Sequence, residues 1–377
     1  MAKIIIAPDS FKESMSAREA AEAIHSGFQQ AGGDQAYHLI PMGDGGEGTM
    51  EALVEYYDGV YHTVQVEGPN EHLVDAIYAL SADGKTAIME MAQASGLDQV
   101  AEPNRDIGAA SSYGTGKMMR AAIDQGVRKI ILGIGGSATN DGGAGMMAAL
   151  GARLLNEHGE MISRGGLGLE SLASIDLSGL DARLEHTDIV VACDVTNPLL
   201  GNSGASTVYG PQKGADAAMV QKLDSTLAHF HKLTVETTGY DVKDIAGAGA
   251  AGGLGYALLV YLNAELKPGI DLVLEETDFR GVARDADLII TGEGKIDGQS
   301  VYGKTPVGVA KAGKETGTFV IAIGGQLGKG YEEVHDHGID AVFSLVPGVV
   351  SVKDAMKNGR EYLRHTARNI AVVYNLK

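Results

Sequence analysis

The chain opens on short apolar runs that alternate with amphipathic stretches. Ile4, Ile5 and Ile6 stand in one unbroken apolar run, which predicts a strand covered on both faces. Ser16 followed by Glu19 has the capping-box spacing, and Ala20, Ala23, Ile24, Gly27, Phe28 and Ala31 then fall on one face of a helix that Gly32-Gly33 ends. A second strand is expected at residues 37–41 and a second helix from about Thr49. Between Tyr61 and Met91 the rhythm changes. "YHTVQV", "HLVDAIYAL" and "KTAIMEM", separated by "EGPNE" and "SADG", read as a meander of three strands.

Helix–strand alternation then resumes. A helix at about 116–125 precedes a strand at 129–132, and "DIVVACDVTNP" reads as a buried strand that ends at an aspartate. "GAGAAGGLG" opens a helix at 256–262. "DLIITGEGKIDG", a helix from about Pro306, the strands "TFVIAIGG" and "DAVFSL", and a helix from about Val352 complete the chain. This alternation predicts an α/β protein with a Rossmann-like, three-layer α/β/α parallel sheet and an inserted second α/β domain holding a mixed sheet. The expected division is 1–61 with 285–377 as a discontinuous first domain, and 62–284 as the insertion.

Composition narrows the partners. Glycine supplies 53 of 377 residues, about twice the usual ~7%, in clusters without a period, so tight turns and close backbone approaches are expected. A net charge of −19 argues against nucleic acid or an anionic membrane. A single cysteine, Cys193, and an N-terminus without a leader pattern fit a reducing, cytoplasmic setting.

Ligands of parallel α/β sheets bind beyond the carboxyl ends of the strands. In this chain those positions carry glycines and acids: Asp9-Ser10-Phe11-Lys12, Asp44-Gly45-Gly46-Glu47-Gly48, Gly135 to Gly145, Asp194, and Gly292 to Gly298. The richest is "GIGGSATNDGGAGM". Backbone N–H groups there form an expected anion nest at a helix start, with Gly135, Gly136, Ser137, Thr139, Asn140, Asp141, Gly142 and Gly143 as its members. A carboxylate beside a phosphate site calls for a cation, which suggests a nucleotide with Mg²⁺. The surplus of acids leaves some for substrate hydroxyls and one for general base, while Lys12, Lys295 and Lys304 can neutralise phosphate or a substrate carboxylate.

Three weaker matches are discounted. "GQSVYGKT" fits the P-loop expression, but it does not leave its strand directly and Pro306 follows it. "GAGAAG" follows a poor strand and suits helix packing, and "GGSAT" lacks the closing glycine of a nucleophile elbow. The pairs His229/His231 and His335/His337 supply no zinc set.

Taken together, "IIIAPDSFKESMSA", "PMGDGGEGT", "SSYGTGKM", "GIGGSATNDGGAGM", "ACDVTNPLLG", "GPQKGA", "GAGAAGGLG", "TGEGKIDGQS" and "GKTPVGVA" resemble the bacterial glycerate kinase family over the whole chain and in order. The resemblance implies ATP- and Mg²⁺-dependent phosphorylation of D-glycerate, to 2-phosphoglycerate, in an active site between two α/β domains. Gly43 and Lys295 stand where the family pattern has alanine and arginine. The expected roles are Asp194 and Asp44 as metal ligands, and Lys12, Lys304 and Asp194 with Asp297 as the catalytic set. Asp297 orients or deprotonates the attacking hydroxyl. Asp9, Ser10, Asp44, Gly45, Gly46, Glu47 and Lys295 are expected to hold substrate. Expected partners are therefore D-glycerate and a nucleotide, without nucleic acid or membrane, with self-association into a homo-oligomer left open. The alternatives are a 3-phosphoglycerate product, another small hydroxy acid as acceptor, a P-loop ATPase, and a non-catalytic nucleotide-binding module.

Overall fold

A computed structural model describes residues 1–46 and 48–376. Its strands are β1 (Ala2–Pro8), β2 (Gln35–Leu39), β3 (Val60–Glu67), β4 (Leu73–Leu80), β5 (Thr86–Glu90), β6 (Lys129–Gly133), β7 (Arg153–Leu155), β8 (Ser174–Asp176), β9 (Asp188–Ala192), β10 (Glu265–Lys267), β11 (Leu288–Ile296), β12 (Phe319–Leu327) and β13 (Ala341–Ser344). Contacts cluster into two compact units, Met1–Tyr56 with Pro268–Lys377, and Tyr57–Lys267. The helices Gly269–Glu276 and Phe279–Ala283 thus belong to the first unit, whereas the sequence division at 285 put them in the second.

In the first unit five parallel strands run in the order β13-β12-β11-β1-β2. Ile4 and Ile6, with Leu288 and Ile290, pack under the helices Ala17–Ala31 and Gly359–Tyr374. Ile289 and Val320 point to the other face, where Gly313 of the helix Thr305–Lys314 lies close enough that a Cβ would collide with Ile289. Both faces are covered, which is why the isoleucine run is continuous rather than alternating. Ser16 caps the first helix through the expected box: its hydroxyl accepts from Glu19 N–H, and the Glu19 carboxylate accepts from Ser16 N–H. Gly32 ends that helix in a left-handed conformation, φ +73°.

The second unit holds a mixed sheet, β10-β9-β6-β5-β4-β3. The meander is present, with β3–β4 and β4–β5 antiparallel, and β5 then joins β6, β9 and β10 in parallel register. β7 and β8 form a separate hairpin-like pair. The helix Ala250–Leu262 starts earlier than expected and carries a kink: Ala251, Gly252 and Gly253 are all left-handed. That bend lets Gly252 lie on the Thr139 carbonyl and Gly253 on Gly142, so the "GAGAAG" glycines serve packing. Among the described residues no helix is long and apolar enough to cross a membrane.

Candidate active site

The first unit gathers its acids where the strand order reverses. The chain leaves β1 for β2 on one side and arrives at β11, β12 and β13 on the other, so the gap between the ends of β1 and β11 is the switch point where such sheets bind ligands. Asp9 follows β1, and Glu293 lies in the last turn-ward residues of β11. Both are buried. Asp9 accepts from the Thr305 hydroxyl at 2.6 Å and from Ser10 N–H at 2.6 Å. Burial, the largest effect, and the nearby Asp44 charge push its carboxyl up to about 6 in spite of those bonds.

Glu293 is less satisfied. Its Oε1 accepts from the Ser300 hydroxyl at 2.6 Å, and Lys304 Nζ stands 3.6 Å from Oε2. Burial raises this carboxyl to about 7, with Asp9 and Asp44 adding repulsion. Lys304 and Thr305 sit at the start of the helix Thr305–Lys314, with Pro306 in its first turn, where a proline costs no hydrogen bond. Their side chains engage acids, so the P-loop match here describes a different local arrangement.

Asp297 points another way. Its Oδ2 pairs with Lys295 Nζ at 2.7 Å and its Oδ1 accepts from Gln299 N–H at 2.9 Å. The Lys295 ammonium holds this carboxyl below the usual range. Such a group is a poor proton acceptor. Nothing in "TGEGKIDG" distinguishes a desolvated acid such as Glu293 from a paired one, so the sequence alone assigns Glu293 no role.

Asp44 lies close enough to Asp9 and Glu293 to raise both carboxyls. Asp44 accepts from Gly46 N–H, and Gly45 N–H donates to the Thr49 hydroxyl. Gly45 has φ +94°, and a Cβ on Gly269 would collide with the Gly45 backbone. Lys12 is exposed. Glu47 lies outside the described residues. A cavity of about 300 Å³, largely apolar, opens nearby between Phe11, Lys12, Gly294, Gly325, Gln326 and Val346.

In the second unit the loop after β6 and the loop after β9 leave adjacent parallel strands at the same end, so Gly135–Gly136 and Asp194 share one edge. The glycine loop divides in two. Gly135 and Gly136 are exposed, and nothing lies within 4 Å of where a Cβ on Gly135 would sit. From Asn140 onward the loop turns inward. Asp141 is fully buried and accepts from Ser112 N–H at 2.8 Å, the Ser112 hydroxyl at 2.9 Å, Gly143 N–H at 3.1 Å and Gly145 N–H at 3.2 Å. Gly142 N–H bonds the Gly252 carbonyl at 3.0 Å, and its α-carbon faces Phe230 and Leu227.

These contacts correct part of the expected nest. The Asp141 carboxylate and the Gly142 and Gly143 N–H groups are thus engaged within the fold. Thr139 and Asn140 are buried as well, Asn140 donating to the Ser206 hydroxyl at 2.9 Å. Sequence reasoning also passed over Lys213 in "GPQKGA", whose Nζ donates to the Ser137 hydroxyl at 2.6 Å and to the Thr139 carbonyl at 2.7 Å. The His229 and His231 rings bond the Leu172 carbonyl and the Tyr256 hydroxyl, which are structural roles.

Comparison with known proteins defines the class first: this chain is a kinase. The glycerate kinase family model matches residues 4–375, and the chain belongs to that family. It is 55% identical over 373 residues to a glycerate kinase of Halalkalibacterium halodurans, covering 99% of this chain and 98% of the relative. It is 48% identical to the glycerate 2-kinase of Escherichia coli K12, covering 98% and 97%. A crystal structure from Salmonella typhimurium LT2, of a protein assigned as glycerate kinase 2, superposes with a TM-score of 0.91 at 50% identity, covering 100% of this chain and 99% of that one.

Proposed function

We propose that this kinase transfers the γ-phosphoryl group of ATP, as its magnesium complex, to the 2-hydroxyl of D-glycerate, forming 2-phospho-D-glycerate and ADP. The observation that carries the reading is the incompletely satisfied Glu293 at the β1/β11 switch point, beside Lys304 and Asp9. A buried acid with a carboxyl near 7 is suited to accept a hydroxyl proton at neutral pH. Full-length similarity to a glycerate 2-kinase supports the choice of hydroxyl.

In this reading the Glu293 carboxylate takes the proton as the glycerate oxygen bonds to the γ-phosphorus and the bond to the β-phosphate bridge oxygen breaks. Lys304 and Lys12 offset the charge on the transferring group, and Lys295, oriented by Asp297, meets the substrate carboxylate. Gly135 and Gly136 hold the donor's phosphates. Among the described residues no three His, Cys, Asp or Glu side chains converge as a metal cage. This suits magnesium, which takes one or two carboxylates and otherwise water and phosphate oxygens. Asp194, exposed just beyond β9, or Asp44 would hold it. When bound, the ion supplies charge neutralisation on the phosphate oxygens.

The test is ³¹P NMR of the product formed from D-glycerate and MgATP. The 2-phosphoglycerate resonance is expected. A 3-phosphoglycerate resonance would overturn the position of transfer, and absence of either would overturn the acceptor.

A further inference from the structure

Lys213 is 2% exposed, and among the described residues no carboxylate pairs with it. Its two hydrogen bonds, to the Ser137 hydroxyl and the Thr139 carbonyl, both go to the loop that carries Gly135 and Gly136. The same stretch holds two further buried polar atoms without partners, Thr139 Oγ1 and Asn140 Oδ1. A neutral donor would clamp this turn just as well. What a lysine adds is charge, and an unpaired buried ammonium is an expensive way to fasten a loop. The charge therefore calls for an anion. The nearest protein anion, Asp141, acts only at longer range and is already saturated by its own donors. Directly next to the clamped Ser137 lies exposed, side-chain-free backbone.

We propose that Lys213 is a positioning residue for the phosphoryl donor: it holds the Ser137–Thr139 turn in shape and sets a positive charge beneath the Gly135–Gly136 backbone, where phosphate oxygens of the nucleotide bind. The inference rests on the reading that those glycines receive the donor's phosphates. It goes beyond that reading by assigning the electrostatic part of donor binding to a side chain the nucleotide does not touch.

The experiment uses the full chain with D-glycerate and MgATP, and measures kcat and the KM of each substrate separately, with Tm as a control. Lys213→Met keeps the length of the side chain and removes its charge. The expected result is a rise of about tenfold or more in the KM for ATP, with the KM for glycerate within about twofold and Tm retained. Equal changes in both KM values, or a loss confined to Tm, would overturn the proposal. Ser137→Ala removes one clamp bond and leaves the charge. Its effect on the KM for ATP should be clearly smaller, and an effect matching Lys213→Met would show that clamping alone matters.

Gly135→Val separates this inference from the reading beneath it, because the protein leaves room for the added side chain but a phosphate would not. If Gly135→Val leaves the KM for ATP unchanged, the phosphate reading fails. If Gly135→Val raises it and Lys213→Met does not, only the role of Lys213 fails. Should Lys213→Met not fold, the native enzyme decides. Burial lowers the Lys213 ammonium to about 7, with Asp141 facing it and Arg105 bonded to the neighbouring Gln212 carbonyl. The KM for ATP should therefore climb between pH 7 and 9 while that for glycerate stays flat, and a flat KM for ATP would overturn the proposal.

Discussion

Asp141 and Glu293 are both buried carboxylates in glycine-rich loops at the ends of parallel strands, and they have opposite characters. Asp141 is surrounded by four close donors from Ser112, Gly143 and Gly145 and holds two loops together, although burial still raises its carboxyl above the ordinary value. Glu293 has one serine hydroxyl and a lysine at 3.6 Å, with two further acids nearby. Burial alone therefore does not mark a reactive acid. The deficit of partners does, because a group left short of donors is free to bind, or to exchange a proton with, something else.

The widest separation between the two should come from kinetics. Glu293→Gln is expected to lower kcat by about 10²–10⁴ with Tm unchanged or raised, since it removes a carboxylate the fold holds at a cost. A kcat within threefold of the native value, measured by coupled ADP release, would remove Glu293 from the mechanism. Asp141→Ala should behave in reverse. It strands several buried N–H groups, so a loss of about 3 kcal/mol is expected in denaturant unfolding, with kcat per folded molecule changed far less. Similar profiles for the two variants would erase the distinction.

A pH series sharpens the same contrast. Asp9 and Glu293 are raised to about 6 and about 7, above their ordinary carboxylate values. A raised acid stabilises the fold while protonated. That contribution is complete below the unfolded values and is lost as pH rises through about 4 to 7. Activity should move oppositely, with kcat/KM rising between pH 5 and 7.5 as Glu293 ionises, and a flat profile there would count against it. The smallest effect calibrates the set. Ser16→Ala removes one half of a capping box far from these acids and should cost about 1 kcal/mol with unaltered kinetics, as measured by urea unfolding and the same assay.

Much of this architecture can be read from local pattern. The isoleucine run, the Ser16–Glu19 box, the three-strand meander and the strand before "GIGGSATN" all reflect interactions between residues near in sequence, where spacing carries the information. β11 runs further than expected because Glu293, Lys295 and Ile296 stay in parallel register with Gly324, Gln326 and Leu327 of β12, a pairing that glycines in the sequence conceal. The role of Asp141 was hidden for a related reason. Its donors at Ser111 and Ser112 come from another segment, so "TNDGG" looks identical whether it faces a phosphate or its own protein. Lys213 shows the limit most clearly, since "GPQKGA" reads as an exposed turn and only tertiary packing buries the amine.

The central strand of the first unit also constrains how the chain is made. β1 lies between β2 and β11, and the Thr291 hydroxyl reaches the Ala7 carbonyl across 284 residues of sequence. A ribosome delivers β1 and β2 early, yet their principal neighbour arrives only after the contiguous second unit has emerged in full. The second unit can therefore mature first, while β1, paired with β2 alone, waits for β11. Chains truncated after residue 267 and released from the ribosome should show a protease-resistant core from Tyr57 onward and a cleavable amino-terminal segment, and equal protection of both would reverse that order of assembly.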